Sequence, residues 1–308
     1  MDMTESFQEV SYKRHEKHNS LTKGTLSEIQ ESWFREDTID YWRHARMYNP
    51  LTPLLKSSPK SKWITVGDGR FGLDSIKLKK IESSLDILPT DISTELLEKA
   101  KTIGTIKNFA KENAEKLSFA DNYFDFAFCK ESFHHFPRPY IALYEMLRVA
   151  KKGVVLIEPN EFFPFPWFGQ LVLSTKKAIK KLLRIKIPHP DDFSFEESGN
   201  YIYTVSRREL AKVALGLNFP AIAVYKFNDY YAAGVEFEKA EPTSALFKEI
   251  KRQIAKRDTK SRLGYEPCSN IIGIIFKENP NDVLVKELKD AGFEIDFLPE
   301  NPYCPRRD

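Results

Sequence analysis

A short apolar strand, Trp63-Ile64-Thr65-Val66, runs directly into Gly67-Asp68-Gly69-Arg70-Phe71-Gly72, and a helical stretch comes next. Few local patterns restrict a fold more. Glycines in such a turn let main-chain N–H groups approach a ligand, and the helix N-terminus behind them favours negative charge. The pattern predicts a nucleotide-type loop at the edge of a parallel sheet. It leaves the nucleotide open, because an acid about 20 positions on, here Asp91, also suits a dinucleotide ribose.

The texture after the loop supports the sheet. Strand-like 85–88 precedes a helix over 94–101, with Ser93 as its candidate cap. A weak strand at 105–109 and a strong one at 124–129 come next, then a helix over 139–149 and, after Gly153, a strand at 154–157. Farther on, helices at 206–215, 244–257 and 283–290 alternate with strands at 221–227 and 271–276. Gly292 closes the last helix and a Pro-rich coil ends the chain. Ahead of the loop lies a polar leader and one helical segment carrying Ile29, Trp33, Phe34, Ile39, Trp42 and Met47, stopped at Asn49-Pro50. Strands alternating with helices predict an α/β fold, a doubly wound parallel sheet with helices on both faces.

Composition narrows the function class. The 308 residues carry 47 Lys and Arg against 44 Asp and Glu, so bulk charge gives no argument for a nucleic-acid partner. Cys129, Cys268 and Cys304 lie far apart with no CxxC pair, which excludes a disulfide framework and a zinc site and predicts a reduced, cytoplasmic setting without a metal. The N-terminal stretch has no apolar core of a signal peptide, and no apolar run approaches the roughly 20 residues that span a bilayer.

Residues downstream of the loop decide among nucleotides. Asp91-Ile92-Ser93, the run 113–125 from Asn113-Ala114 to Phe124-Asp125, Ser132-Phe133-His134-His135-Phe136, and 142–149 through Lys151-Lys152-Gly153 to Glu158-Pro159 form one ordered series. Over roughly residues 62–160 this resembles the class I S-adenosylmethionine-dependent methyltransferases, in the branch acting on small molecules. The resemblance implies a Rossmann-like, doubly wound seven-stranded sheet with a helical N-terminal cap. It divides the chain into a leader and cap helix (1–60), the cofactor-binding half of the core (61–160), an aromatic and basic lid or acceptor insertion (161–205), the second half of the core (206–277, with a polar insertion near 229–267), and a C-terminal helix and tail (278–308).

The same resemblance implies S-adenosylmethionine as cofactor and S-adenosylhomocysteine as product, with roles for particular residues. Gly67, Asp68, Gly69 and Gly72 would run beneath the methionine part. Asp91 would accept both ribose hydroxyls, Ile92 would pack on the adenine, and Asn113 and Ala114 would meet the ring's edge. Cys129 and Lys130 would lie beside the sulfonium, and Arg46 on the cap helix would cover the cofactor. Two positions depart from the family pattern. Thr65 stands where an acid is usual two residues before the first glycine, and Asn113 stands where Asp is common.

Methyl transfer from a sulfonium is an in-line displacement that needs alignment and exclusion of water, plus a base when the acceptor is a hydroxyl. His134, His135 and Glu131 lie just after the fourth strand at the sheet's carboxyl edge and are the candidate bases, with Glu158 behind them. The aromatic stretch 162–168 reads as a lid or acceptor platform, with a homodimer contact as its rival. The basic stretch Leu171 to Ile187 offers contact with a membrane surface or a lipid-linked acceptor. Cys129-Lys130-Glu131-Ser132 lacks the Asn/Asp-Pro-Pro-aromatic motif of base methylation, which again argues against nucleic acid. The leading expectation is O-methylation of a small polar molecule such as a sugar or glycan precursor. A non-catalytic binding or assembly protein, and a nicotinamide-dependent oxidoreductase, are the alternatives.

Overall fold

The computed structural model describes residues 7–18, 25–161, 195 and 200–304. Strands β1 (Lys62–Val66) and β4 (Phe124–Lys130) are apolar on both faces and almost wholly buried, as central parallel strands must be. They lie side by side in one sheet with β2 (Asp86–Asp91), β3 (Ala110–Lys111), β5 (Ala150–Pro159), β6 (Ala221–Phe227), β7 (Asn270–Phe276) and β8 (Glu294–Phe297), in the order β3-β2-β1-β4-β5-β7-β6-β8. The first five run parallel, whereas β7 is antiparallel to both β5 and β6. The order reverses between β1 and β4, so their carboxyl ends open a crevice there.

Alternation along each strand divides the core. Ile64, Ala127 and Cys129 face a cluster with Leu143 and Met146 of helix α7 (Pro139–Val149) and Leu210 of α8 (Arg207–Gly216). Trp63, Phe126 and Phe128 face the other side, with Leu54 and Leu55 of α4 (Thr52–Ser57), Leu78 of α5 (Leu73–Ile81) and Leu288 of α10 (Asp282–Asp290). Trp63 is fully buried and stacks on Phe126 at 4.6 Å, and burying a side chain of this size is worth about 1.5–3 kcal/mol. Helices on both faces make the sheet doubly wound, as expected.

Several boundaries differ from the sequence reading. The sheet has eight strands rather than seven: 294–297 adds an antiparallel edge beside β6, where Arg207 binds both Glu294 and Asp296. Four residues are too few to show periodicity. Gly153 does not close a helix but lies inside β5, where a Cβ would meet the Ile275 carbonyl oxygen at 2.5 Å. The third strand is only Ala110–Lys111, and α6 (Glu95–Thr102) takes Thr94 as its N-cap, not Ser93.

The N-terminal part is four helices where one was expected. Helices α1 (Phe7–His18), α2 (Thr25–Ser32), α3 (Ile39–Tyr48) and α4 succeed one another, and Pro50 starts a 3-10 turn instead of ending the segment. Thr38 divides α2 from α3 because its hydroxyl caps the new helix, accepting from the Tyr41 N–H at 3.1 Å. The polar insertion 229–267 is the seat of α3. Ile39 packs with Val235, Phe247 and Ile250, the last two on α9 (Ala245–Arg262), and the buried Arg43 guanidinium grips Asp229. The aromatic stretch 162–168 and the basic stretch 171–187 lie outside the described residues.

Candidate active site

The glycine loop leaves β1 at the crevice, and two of its glycines are required by close approach. Gly67 has φ +79°, and a Cβ there would lie 2.4 Å from Ser132 Cβ. A Cβ on Gly69 would lie 2.6 Å from an Asp91 carboxylate oxygen. The loop is thus pressed between the end of β2 and the turn after β4. Asp68 holds it from below. Its buried carboxylate accepts from the Thr65 hydroxyl (2.8 Å) and from the N–H groups of Asp74 and Ser75 (3.0 and 3.1 Å), so it caps α5. With those bonds made, Asp68 serves the loop's shape, and its side chain does not face a cofactor as expected.

Above the loop is a cavity of about 540 Å³. Asp91, Ile92, Asn113 and Ala114 line one end, and Gly67, Arg70, Glu131 and Ser132 the other. Burial pushes the Asp91 carboxyl up to about 6, although the N–H groups of Ser93, Gly69 and Ile92 favour its charged form. Asn113 lines the cavity, but its Oδ1 already accepts from the Glu115 N–H at 2.9 Å and closes a local turn. Its part at a ring edge is therefore shared with that turn.

The turn after β4 gathers the candidate bases. Glu158, fully buried at the end of β5, accepts from the Ser132 and Phe133 N–H groups (3.1 and 3.0 Å) and lies 2.6 Å from His134 Nδ1. This fixes the His134 tautomer with Nδ1–H toward the carboxylate and the lone pair on Nε2. Glu158 is thereby a positioning residue rather than a base. His135 lines the cavity itself, its ring 4.0 Å from that of His134. Glu131, the third candidate, is unsuited to accept a proton. Burial alone would raise its pKa, but the Lys130 ammonium and His44 hold it well below the usual carboxylate range. Its backbone has φ +48°, a strained value that persists where the surroundings enforce it.

Three expected contacts move elsewhere. Cys129 is fully buried in the core between β4 and α7, and burial drives its thiol pKa up. The Lys130 ammonium is tied to Glu131. Arg46 lines no cavity; it stacks over Trp42 at 5.2 Å and donates to the Asn228 carbonyl at 3.2 Å, helping to seat α3. Gly72, with φ +67°, only turns the chain into α5.

Residues the sequence reading passed over close the cavity. Tyr12, Arg14 and His15 of α1 line it. Tyr12 donates to the buried Glu115 carboxylate at 2.6 Å, which also takes the Arg138 N–H and Nε. Ser11 donates to Asn200 Oδ1, whose amide donates to the His135 carbonyl. Helix α1 is polar throughout, so no apolar stripe marks it as packed. Among the described residues no group of three or more His, Cys, Asp or Glu is placed to hold a metal. No described helix is long and apolar enough to cross a membrane.

Residues 66–157 match the family described as methyltransferase domain. This segment is a methyltransferase domain. Its cofactor is S-adenosylmethionine, and the residues present fit that molecule: a carboxylate facing the missing Cβ of Gly69, a main-chain edge at Ala114 and a cavity open between them. The chain is 28% identical over 155 residues to the ubiquinone/menaquinone biosynthesis C-methyltransferase UbiE of Cupriavidus taiwanensis, an alignment covering 44% of this chain and 64% of that protein. The chain thus spans under two thirds of that relative's length. Among solved structures, an S-adenosylmethionine-dependent methyltransferase from Archaeoglobus fulgidus is similar with a TM-score of 0.48 and 14% identity, covering 82% of this chain and all (100%) of the other. The YcgJ protein of Bacillus subtilis gives 0.46 and 17%, covering 76% and 100%.

Proposed function

We propose that the protein is an S-adenosylmethionine-dependent methyltransferase that methylates a small polar acceptor, an oxygen nucleophile before others, with a sugar, glycan precursor or similar metabolite as its class. The bound cofactor supplies an electrophilic methyl group on a positively charged leaving group. The protein's own residues orient, exclude water and take a proton. Asp91 and the Gly67–Gly69 main chain hold the nucleoside, α1 covers it, and His134 receives the acceptor's proton at Nε2.

One observation carries the acid–base part of this reading: a fully buried Glu158 spends its hydrogen bonds on the turn after β4 and on His134 Nδ1. A buried carboxylate orienting an imidazole stabilises the imidazolium that forms when a proton is taken. A carbon acceptor is the second reading, favoured by the C-methyltransferase name of the Cupriavidus relative. The test is transfer of label from methyl-labelled S-adenosylmethionine to a panel of hydroxylated and phenolic acceptors, with the product's bond assigned by mass fragmentation. His134→Asn should lower the rate about 100- to 10,000-fold, with cofactor affinity unchanged. Full activity of that variant on the acceptor found would remove the histidine from the reaction.

A further inference from the structure

A second, smaller chamber of about 80 Å³ adjoins the first and shares Gly67, Arg70, Glu131 and Ser132 with it. Its far walls are α3 and α5. Two of its carboxylates are already matched inside the protein: Asp74 accepts from the Tyr48 hydroxyl, and Asp40 binds Arg43 at 3.0 Å. Two of its cations are not. Among the described residues, neither Lys77 nor Arg70 makes a side-chain hydrogen bond or ion pair; Lys77 lies over the Tyr41 and Tyr48 rings at 5.0 and 5.5 Å, and Arg70 over Trp33 at 5.2 Å. Burial and the nearby Lys130 cation bring the Lys77 pKa down to about 8, against the pull of Asp74 and Asp40, with Lys80 adding to the depression. A half-buried cation without an anion of its own is costly unless a ligand brings one.

Glu131 stands at the junction. It is the one carboxylate lining both chambers among the described residues, it is anionic, and its side chain is 32% exposed. Thr65 cannot act there, being fully buried with its hydroxyl on Asp68.

We propose that the small chamber receives the amino-acid end of the cofactor, with Lys77 and Arg70 pairing with its carboxylate and Glu131 with its ammonium. This rests on the cofactor reading above and deepens it. The chain then needs no acid at position 65, because the turn after β4 supplies one from the opposite side of the loop.

The test is titration calorimetry of the full chain with two ligands: S-adenosylhomocysteine, and 5′-methylthioadenosine, the same kind of thionucleoside without the amino acid. The expected result is that Lys77→Met and Glu131→Gln each weaken S-adenosylhomocysteine about tenfold or more and leave 5′-methylthioadenosine unchanged, with Lys77→Arg restoring most of the loss. In buffers of different ionisation enthalpy at pH 8, S-adenosylhomocysteine should take up about half a proton with the native chain and none with Lys77→Met, since a carboxylate partner restores the charge on a lysine that titrates near 8. Unchanged affinity for both ligands, or equal loss of both, would overturn the proposal while leaving the cofactor reading in place. If neither ligand binds the native chain, both fall together.

Discussion

Asp91 is the residue whose ionisation ties the fold to ligand binding. Its carboxyl titrates at about 6 because burial under the glycine loop disfavours charge. Ribose hydroxyls are donors and need the carboxylate, so ligand binding pulls the pKa down and releases a proton. Affinity therefore falls as pH drops through about 6, the direction for a group that must be charged to bind. With a pKa of about 6, the ionised fraction goes from about nine-tenths at pH 7 to about one-tenth at pH 5, a roughly tenfold weakening or about 1.4 kcal/mol. Removing the group by Asp91→Ala at pH 7 should cost about 2–3 kcal/mol, roughly 30- to 160-fold, for the loss of two charge-assisted hydrogen bonds. Dissociation constants for S-adenosylhomocysteine between pH 5 and pH 8, by calorimetry, measure both. Asp91→Asn is the control, since it keeps the shape and cannot titrate, and its profile should be flatter by that factor. A native profile that is flat, or an equally steep one in Asp91→Asn, would refute the assignment and move the titration to His135 or His15 nearby.

Other perturbations test separate parts. Glu158→Gln should lower turnover at least tenfold and shift the alkaline rise of the rate profile while cofactor affinity holds; loss of affinity in step with rate would make Glu158 purely structural. Arg43→Met leaves Asp229 buried without its partner and should cost about 3–5 kcal/mol in denaturant unfolding, whereas the double change with Asp229→Leu should recover much of it; equal stability of the single variant and the native chain would contradict a buried pair. Gly67→Ala drives a methyl group into Ser132 and should weaken S-adenosylhomocysteine severely with a modest drop in melting temperature; normal affinity would mean that the turn after β4 can move aside. Tyr12→Phe removes one hydrogen bond to buried Glu115 and should cost about 1 kcal/mol in ligand binding if α1 covers the cavity, against no change if it does not.

How much was legible in the chain depends on the range of each signal. The strand, loop and helix at 63–81 were readable because burial, glycine and helix periodicity coincide within twenty residues, and Asp91 was found because it lies at the next strand's end. Placing Asp68 and Cys129 against the ligand failed, since spacing along the chain cannot say which side of a loop or strand a side chain faces: one caps α5 and the other lies in the core. Glu131 read as a base because its partner Lys130 is a chain neighbour whose orientation only the folded turn fixes. The cover of the cavity escaped altogether. Helix α1 docks through Tyr12–Glu115 and Ser11–Asn200, polar contacts across more than 100 positions of chain that leave no periodic trace. Edge strand β8 was lost for a related reason, being four residues held by ion pairs with Arg207.

The central claim is that the cavity between Asp91, Gly69 and Ala114 is the cofactor site of a working methyltransferase domain. A crystal structure of the full chain grown with S-adenosylhomocysteine tests it most directly. The expected result is nucleoside density in that cavity, both ribose hydroxyls within hydrogen-bonding distance of the Asp91 carboxylate and the ring against Ile92 and Ala114. An empty cavity at saturating ligand, or a nucleoside bound elsewhere with Asp91 untouched, would contradict it.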